Sequence, residues 1–134
     1  MKVETGFGDV VDRVTILRLK CAKIIDPERR RHAAAEQAAL ESAWDAERLP
    51  SIDDLAETAS LADVNARLWD VEDALRDHER DGRFDEAFVE LARSVYRLND
   101  ERARWKRTIN ERLGSAIVEV KSYGGRERAN DAER

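Results

Sequence analysis

Hydrophilic side chains recur at helical spacing beside apolar positions in three parts of the chain. Residues seven apart lie on one face of a helix, so the members of each row are aligned. Burying a polar group without a partner costs on the order of 1 to 3 kcal/mol, and each row is therefore expected to meet a partner or a ligand. The rows are Arg13 with Lys20, Asn65 with Glu72, and Asn99 with Lys106 and Asn110.

Two interpretations of these rows stand side by side. In the first, the rows converge on a pocket in which Arg13, Lys20 and Lys106 bind a phosphate or carboxylate. The Asn residues of the rows orient a polar ligand there, and Glu72 is the candidate catalytic acid or base. In the second, Glu72 pairs with Arg13 or Lys106, and the Asn side chains fix helix register.

Two enzyme classes offer alternative hypotheses for the carboxylates and cations. A magnesium-dependent nucleotide pyrophosphatase needs aligned acidic pairs on two helices, but Asp70, Glu72 and Asp73 face in three directions and the required spacing is not clearly present. The helical chorismate mutases bind a dicarboxylate between cations that project from helices. The Arg and Lys of the first row have that chemical character, although the remaining cations cannot be aligned.

Metal-binding and nucleophilic motifs do not emerge from the sequence. His32 and His78 lie in highly charged stretches without zinc-ligand spacing, and both are expected to be solvated. Cys21 is the single cysteine and is interpreted as a small packing residue. We therefore predict neither a metal site nor a cofactor.

The elements that must position these side chains are helices, separated by the few Pro and Gly residues of the chain. Pro27 follows Asp26, which favours a helix start, and Asp85 precedes another apolar-periodic segment. Gly82 and Gly114 stand where left-handed residues end helices. The predicted helices span about residues 9–25, 27–48, 51–81 and 85–113.

The predicted architecture is all-α: a four-helix bundle-like domain over residues 1–123, with a long antiparallel hairpin of the third and fourth helices. After Gly114 the alternating, β-branched pattern predicts a short extended C-terminal arm over residues 115–123. Residues 124–134 are polar and are expected to form a mobile tail.

Composition narrows the partners of the chain. Its 134 residues carry a net charge of -5, and 40% of them are charged, which argues against a surface built to neutralise nucleic-acid phosphates. The sequence contains neither a long apolar run typical of a membrane span nor an apolar signal segment. We expect a cytoplasmic protein that binds neither nucleic acid nor membrane.

Three sequence blocks lie at residues 8–17, 64–73 and 91–100, and the third continues to Asn110 and residues 121–123. In order and spacing they resemble the bacterial domain-of-unknown-function family numbered 6165, over most of residues 6 to 123. The family is associated with surface-polysaccharide and glycosyltransferase neighbourhoods. The resemblance therefore implies a small bacterial protein of that setting, and it transfers no catalytic residue.

Apolar surface on the hairpin exceeds what a short first helix and an Ala-rich second helix can cover. This excess predicts a homodimer formed through the hairpin or the first helix. The expected function is that of a helical binding or accessory protein that accepts an anionic small molecule or a protein partner. The alternative is a small all-α enzyme acting on an anionic metabolite or nucleotide sugar.

Overall fold

A computed structural model describes residues 1–115 of the chain, and these residues form helices and no strand. Helix α1 spans Phe7–Lys23, α2 spans Pro27–Asp45, α3 spans Ala56–Asp81 and α4 spans Glu86–Leu113. A short 3-10 turn at Ile52–Asp54 precedes α3. The predicted all-α class is confirmed. The predicted arm beyond Ser115 and the predicted tail lie outside the described residues.

The long hairpin is the frame of the molecule. Helices α3 and α4 pack along each other, α1 lies against both of them, and α2 packs on α1. The turn between α3 and α4 begins at Gly82, whose φ of 65° is a left-handed conformation that suits glycine. Gly114 ends α4 in the same way, with a φ of 69°. The predicted antiparallel hairpin is therefore confirmed.

The main core lies where α1 meets one end of the hairpin. Val11 and Val14 of α1 are fully buried there, together with Leu61 of α3 and Ile109 of α4. Trp44 is the large apolar residue that α2 contributes, and its indole nitrogen donates to the Pro50 carbonyl oxygen at 2.9 Å. This packing fixes the position of α1, the helix to which polar residues of α3 and α4 bind.

The start of α1 differs from the predicted residue 9 because its cap comes from another helix. Gly6 offers no side chain, and the amides of Phe7 and Gly8 instead donate to Ser115 Oγ at 2.7 Å and Asn110 Oδ1 at 2.8 Å. These oxygens satisfy donors that a helix start otherwise leaves free. The helix ends at Lys23, before the predicted residue 25, because Ile24 is extended.

Three further helix ends differ from prediction. Helix α2 ends at Asp45 rather than 48, and Arg48 has a left-handed φ of 55° that is incompatible with a continuing helix. Ser51 makes no capping hydrogen bond, and α3 begins at Ala56 rather than 51. Helix α4 begins at Glu86, one residue after the predicted 85, with Asp85 as its cap.

His78 is buried, and the expectation that it is solvated is wrong. It is 7% exposed and lies at the closed end of the hairpin, where its ring contacts Phe88. Nδ1 lies 2.9 Å from the carbonyl oxygen of Arg83 and 3.6 Å from a carboxylate oxygen of Asp85. The backbone of the turn supplies the partner that allows a histidine to be buried there.

Arg18 joins α1 to the elements that precede α3. Its guanidinium lies 2.7 Å from an Asp53 carboxylate oxygen and 3.2 Å from one of Glu41. The hydrogen bond to Asp53 is the largest effect and raises the pKa of Arg18; burial opposes it, and the hydrogen bond to Glu41 adds a smaller increase. Within the helices of residues 1–115, no segment is both long and apolar enough to cross a membrane.

Candidate functional site

A buried polar network connects α1 to both helices of the hairpin. The Asp12 carboxylate, 6% exposed, accepts from Arg102 Nε at 2.8 Å and from a terminal Arg102 nitrogen at 2.5 Å. Asn65 Nδ2 donates to Asp12 Oδ1 at 3.0 Å and to Thr15 Oγ1 at 2.9 Å. A bidentate arginine and an amide together satisfy a carboxylate that is shielded from water. We interpret this network as the set of polar contacts that fixes α1 on the hairpin.

A second polar cluster lies at the N-terminus of α1, where the backbones of α1 and α4 approach closely. Besides the Asn110 and Ser115 contacts, Lys106 Nζ lies 2.9 Å from a carboxylate oxygen of Asp9. A Cβ on Gly8 would lie 2.8 Å from the carbonyl carbon of Lys106 and 2.9 Å from its Cα. Only glycine permits this approach, which brings the Gly8 amide within reach of Asn110.

An open cleft lies at the opposite end of α1, where α1 passes into α2 beside the middle of α3. Its volume is about 540 Å³. Four cationic side chains, two carboxylates and three apolar side chains line it. They are Lys20, Lys23, Arg29 and Arg76; Asp26 and Glu72; and Ile24, Ile25 and Trp69.

The cations of this cleft differ in whether a carboxylate neutralises them. Arg76 lies 3.6 Å from an oxygen of Glu72. For Lys20, Lys23 and Arg29, no carboxylate oxygen of the described residues lies within 4.0 Å of a charged nitrogen. The lining is therefore positively charged, although the whole chain is acidic. The start of α2 adds backbone amides with partial positive charge on the same side.

A second groove continues from this cleft between α1 and α2, with a volume of about 470 Å³. Lys20 and Arg29 line both spaces, and Arg13 and His32 extend the cationic surface along the groove. Arg13 is bound by Glu36 of α2, with a shortest distance of 2.8 Å and both side chains nearly half exposed. The two spaces form one surface depression in which Lys20 occupies the middle.

A comparison with known protein families identifies the family of this chain. The model of a family of unknown function, DUF6165, matches residues 1–129. The chain belongs to this family. No curated protein and no solved structure matches the chain. The resemblance noted in the sequence is thus confirmed.

The structure of this DUF6165 member distributes the predicted site residues over three places. Lys20 and Glu72 line the cleft, and Arg13 lines the groove beside it. Asn65 belongs to the buried network, and Asn99 Oδ1 accepts from Arg102 at 3.5 Å at its edge. Lys106 and Asn110 lie at the N-terminus of α1.

The sequence interpretation missed residues in the network and in the cleft. Asp12 lies among the apolar residues of α1, and Arg102 interrupts the apolar seam of α4; two such opposite charges are a signal that they pair. Lys23 and Arg29 are close to Lys20 because the chain turns between α1 and α2. Trp69, half buried, comes to the cleft from α3. A periodic pattern on one helix does not reveal such neighbours.

Proposed function

We propose that this protein is a helical binding protein whose cleft between α1, α2 and α3 accepts an anionic small molecule. The observation that carries the proposal is the convergence of Lys20, Lys23 and Arg29 on one cleft without a carboxylate partner among the described residues. Cations held close together repel one another, and an anion relieves that repulsion.

The other lining groups support a ligand that is more than a bare anion. Trp69 presents a partly exposed indole beside Glu72 and Arg76, and such a surface suits a planar or sugar ring. The carboxylates of Asp26 and Glu72 are acceptors for ligand hydroxyl groups. A phosphorylated molecule that carries a ring and hydroxyl groups combines these features. A role in surface-polysaccharide metabolism is consistent with that chemistry.

The test is calorimetric titration of the full chain with pyrophosphate at low ionic strength. We expect saturable binding that weakens as salt is added, because exposed charges are screened. Lys23→Ala and Arg29→Ala should each weaken binding roughly fivefold or more, which corresponds to about 1 kcal/mol for one lost charge-assisted contact. Lys2→Ala is the matched control, since Lys2 is exposed and does not line the cleft.

Two results would contradict the proposal. One is no heat of binding at pyrophosphate concentrations up to about 10 mM, which excludes an affinity stronger than a few kcal/mol. The other is equal binding by wild type, Lys23→Ala and Lys2→Ala, which would place the anion elsewhere. A uridine diphosphate titration with Trp69→Ala then asks whether the indole contributes to binding of a ring.

An enzyme acting on an anionic metabolite is the second candidate function. It is favoured by Glu72, which shares the cleft with Lys20 and lies on the same helix face as Arg76. The Glu72 side chain is 50% exposed and therefore accessible to a bound ligand. In this hypothesis, Glu72→Gln retains pyrophosphate binding but abolishes turnover of the metabolite. Equal turnover by Glu72→Gln and wild type would exclude Glu72 as the acid or base.

We also propose that the protein acts as a homodimer. Helix α1 is contacted by α2, α3 and α4, so the hairpin offers the larger free surface. Phe84, Val89 and Tyr96 are exposed apolar residues on or next to α4. Sedimentation equilibrium tests this proposal by measuring the molecular mass of the wild-type protein in solution. A monomer at about 100 μM excludes a dimer with a dissociation constant below that concentration.

A further inference from the structure

The exposed side of α4, termed its outer face, carries a mixed set of charged and apolar residues. Successive helical residues are about 100° apart around the helix axis, and the six residues of this face fall within an arc of about 120°. All of them are exposed, including Val89 at 43% and Tyr96 at 56%. The face consists of Glu86, Val89, Glu90, Arg93, Tyr96 and Arg97.

The charges on this face are ordered along the helix. Glu86 and Glu90 precede Arg93 and Arg97, so the acidic half comes first and the basic half follows. Within one copy, Arg97 lies 2.8 Å from a carboxylate oxygen of Glu90, an exposed contact that contributes little to stability and can be exchanged for contacts to a second copy. In an antiparallel pair of identical helices, a two-fold axis brings the first half of one copy against the second half of the other. With the axis between residues 91 and 92, Glu86 faces Arg97 of the other copy and Glu90 faces Arg93.

The same register places an apolar side chain opposite a groove. The groove has a volume of about 680 Å³ and is lined in part by Phe84, Glu86 and Val89. Tyr96 of the second copy lies opposite Ala87 in this register, within two to three residues of Val89 and Phe84. Its ring therefore reaches the two exposed apolar residues of the groove, and the two-fold axis repeats the contact.

We propose that a second copy of this chain docks antiparallel on the outer face of α4, with Glu86 and Glu90 paired to Arg97 and Arg93 of the other copy. This inference rests on the proposed dimer and is independent of the anion cleft. The face is about 18 Å long for its twelve residues, which is small for a stable interface. The dimer is therefore concentration dependent and weakened by salt.

The test is sedimentation equilibrium of the full chain with two single charge reversals and their combination. Glu90→Arg and Arg93→Glu each place like charges opposite each other and should weaken dimerisation roughly tenfold or more. The double variant exchanges the two charges and should restore the dissociation constant to within about threefold of wild type. Glu111→Arg is the matched control, since Glu111 is exposed on the same side of α4 about 27 Å from Arg93.

The outcomes separate this face from the dimer itself. If the wild-type protein is a monomer at about 100 μM, its dissociation constant lies above that concentration. This result overturns the proposed dimer and the proposed α4 face together. A wild-type dimer that both single reversals leave unchanged overturns the α4 face alone. Loss of the dimer in both singles without recovery in the double overturns the proposed register. Circular dichroism of each variant confirms that α4 is folded.

Discussion

The buried contact between Asp12 and Arg102 predicts that replacing either partner by alanine lowers the free energy of unfolding, but by different amounts. The Asp12 side chain is 6% exposed, whereas that of Arg102 is 29% exposed. Removing the guanidinium leaves a carboxylate that water does not reach. Removing the carboxylate leaves a guanidinium that can turn towards water. The free energy of unfolding should therefore fall further in Arg102→Ala than in Asp12→Ala.

The expected magnitudes follow from burial and the remaining contacts. Breaking a buried ion pair typically costs about 3 to 5 kcal/mol, and Arg102→Ala should lie near the lower end because Asn65 still donates to Asp12. Asp12→Ala should cost about 1 to 2 kcal/mol, since Asn65 keeps its bond to Thr15 and alanine favours the helix. The two variants should thus differ by roughly 1.5 kcal/mol.

Urea unfolding followed by circular dichroism measures both free energies. Arg102→Met retains the apolar stem of the side chain and should cost nearly as much as Arg102→Ala if the stranded carboxylate dominates. Arg67→Ala is the control, because the exposed pairs of Arg67 should contribute less than about 1 kcal/mol. An Asp12→Ala cost equal to or above that of Arg102→Ala would refute the argument from burial.

Three further predictions concern α1 and α4. Gly8→Ala should lower the free energy of unfolding by about 2 kcal/mol or more in urea titration, because the added methyl group meets the Lys106 backbone; a stabilised variant would contradict this close approach. Asn110→Ala should cost about 1 to 3 kcal/mol and increase hydrogen exchange at the Gly8 amide, which loses its acceptor; unchanged exchange would show that this cap is dispensable. The Phe88 amide lowers the pKa of Asp85 from its usual 3.8, against an opposing effect of desolvation. The Asp85 charge therefore stabilises the fold above the unfolded pKa, and this contribution is lost as pH falls through the folded pKa. In acid titrations the stability advantage of wild type over Asp85→Asn should shrink below about pH 4, and a constant difference would argue against the charged cap.

The parts of the fold that depend on local chemistry could be predicted from the sequence. Gly82 and Gly114 end helices because a left-handed backbone favours glycine wherever it occurs. Asp85 caps α4 through an amide only three residues away. Ser51 offers the same local signal, yet the chain forms a 3-10 turn after it, where Ile52 is buried in the core. Tertiary packing outweighs the local preference at that position.

The candidate site was less accessible to sequence reasoning because it depends on which helices meet. The seven-residue spacing correctly aligns Asn65 with Glu72 on α3, but that row extends from the buried network to an exposed cleft. Asp12 acquires its role only because Arg102 and Asn65 approach it from two other helices. Spacing gives the direction of a side chain on its own helix, not the identity of its neighbours.

Substitutions at the two ends of α1 should have different effects: those in the network around Asp12 should lower stability, and those in the cleft should weaken ligand binding. The network around Asp12 consists of satisfied pairs, whereas Lys20 adds a charge to a cleft that is already cationic. In Lys20→Met, loss of a cation near the helix C-terminus costs about 0.3 to 1 kcal/mol, and relief of repulsion from Lys23 and Arg29 offsets it. The free energy of unfolding in urea should therefore change by less than about 0.5 kcal/mol, while pyrophosphate affinity falls roughly fivefold. A loss of stability above about 1 kcal/mol would instead assign Lys20 to the structural contacts of α1 and would remove one of the cations on which anion binding depends.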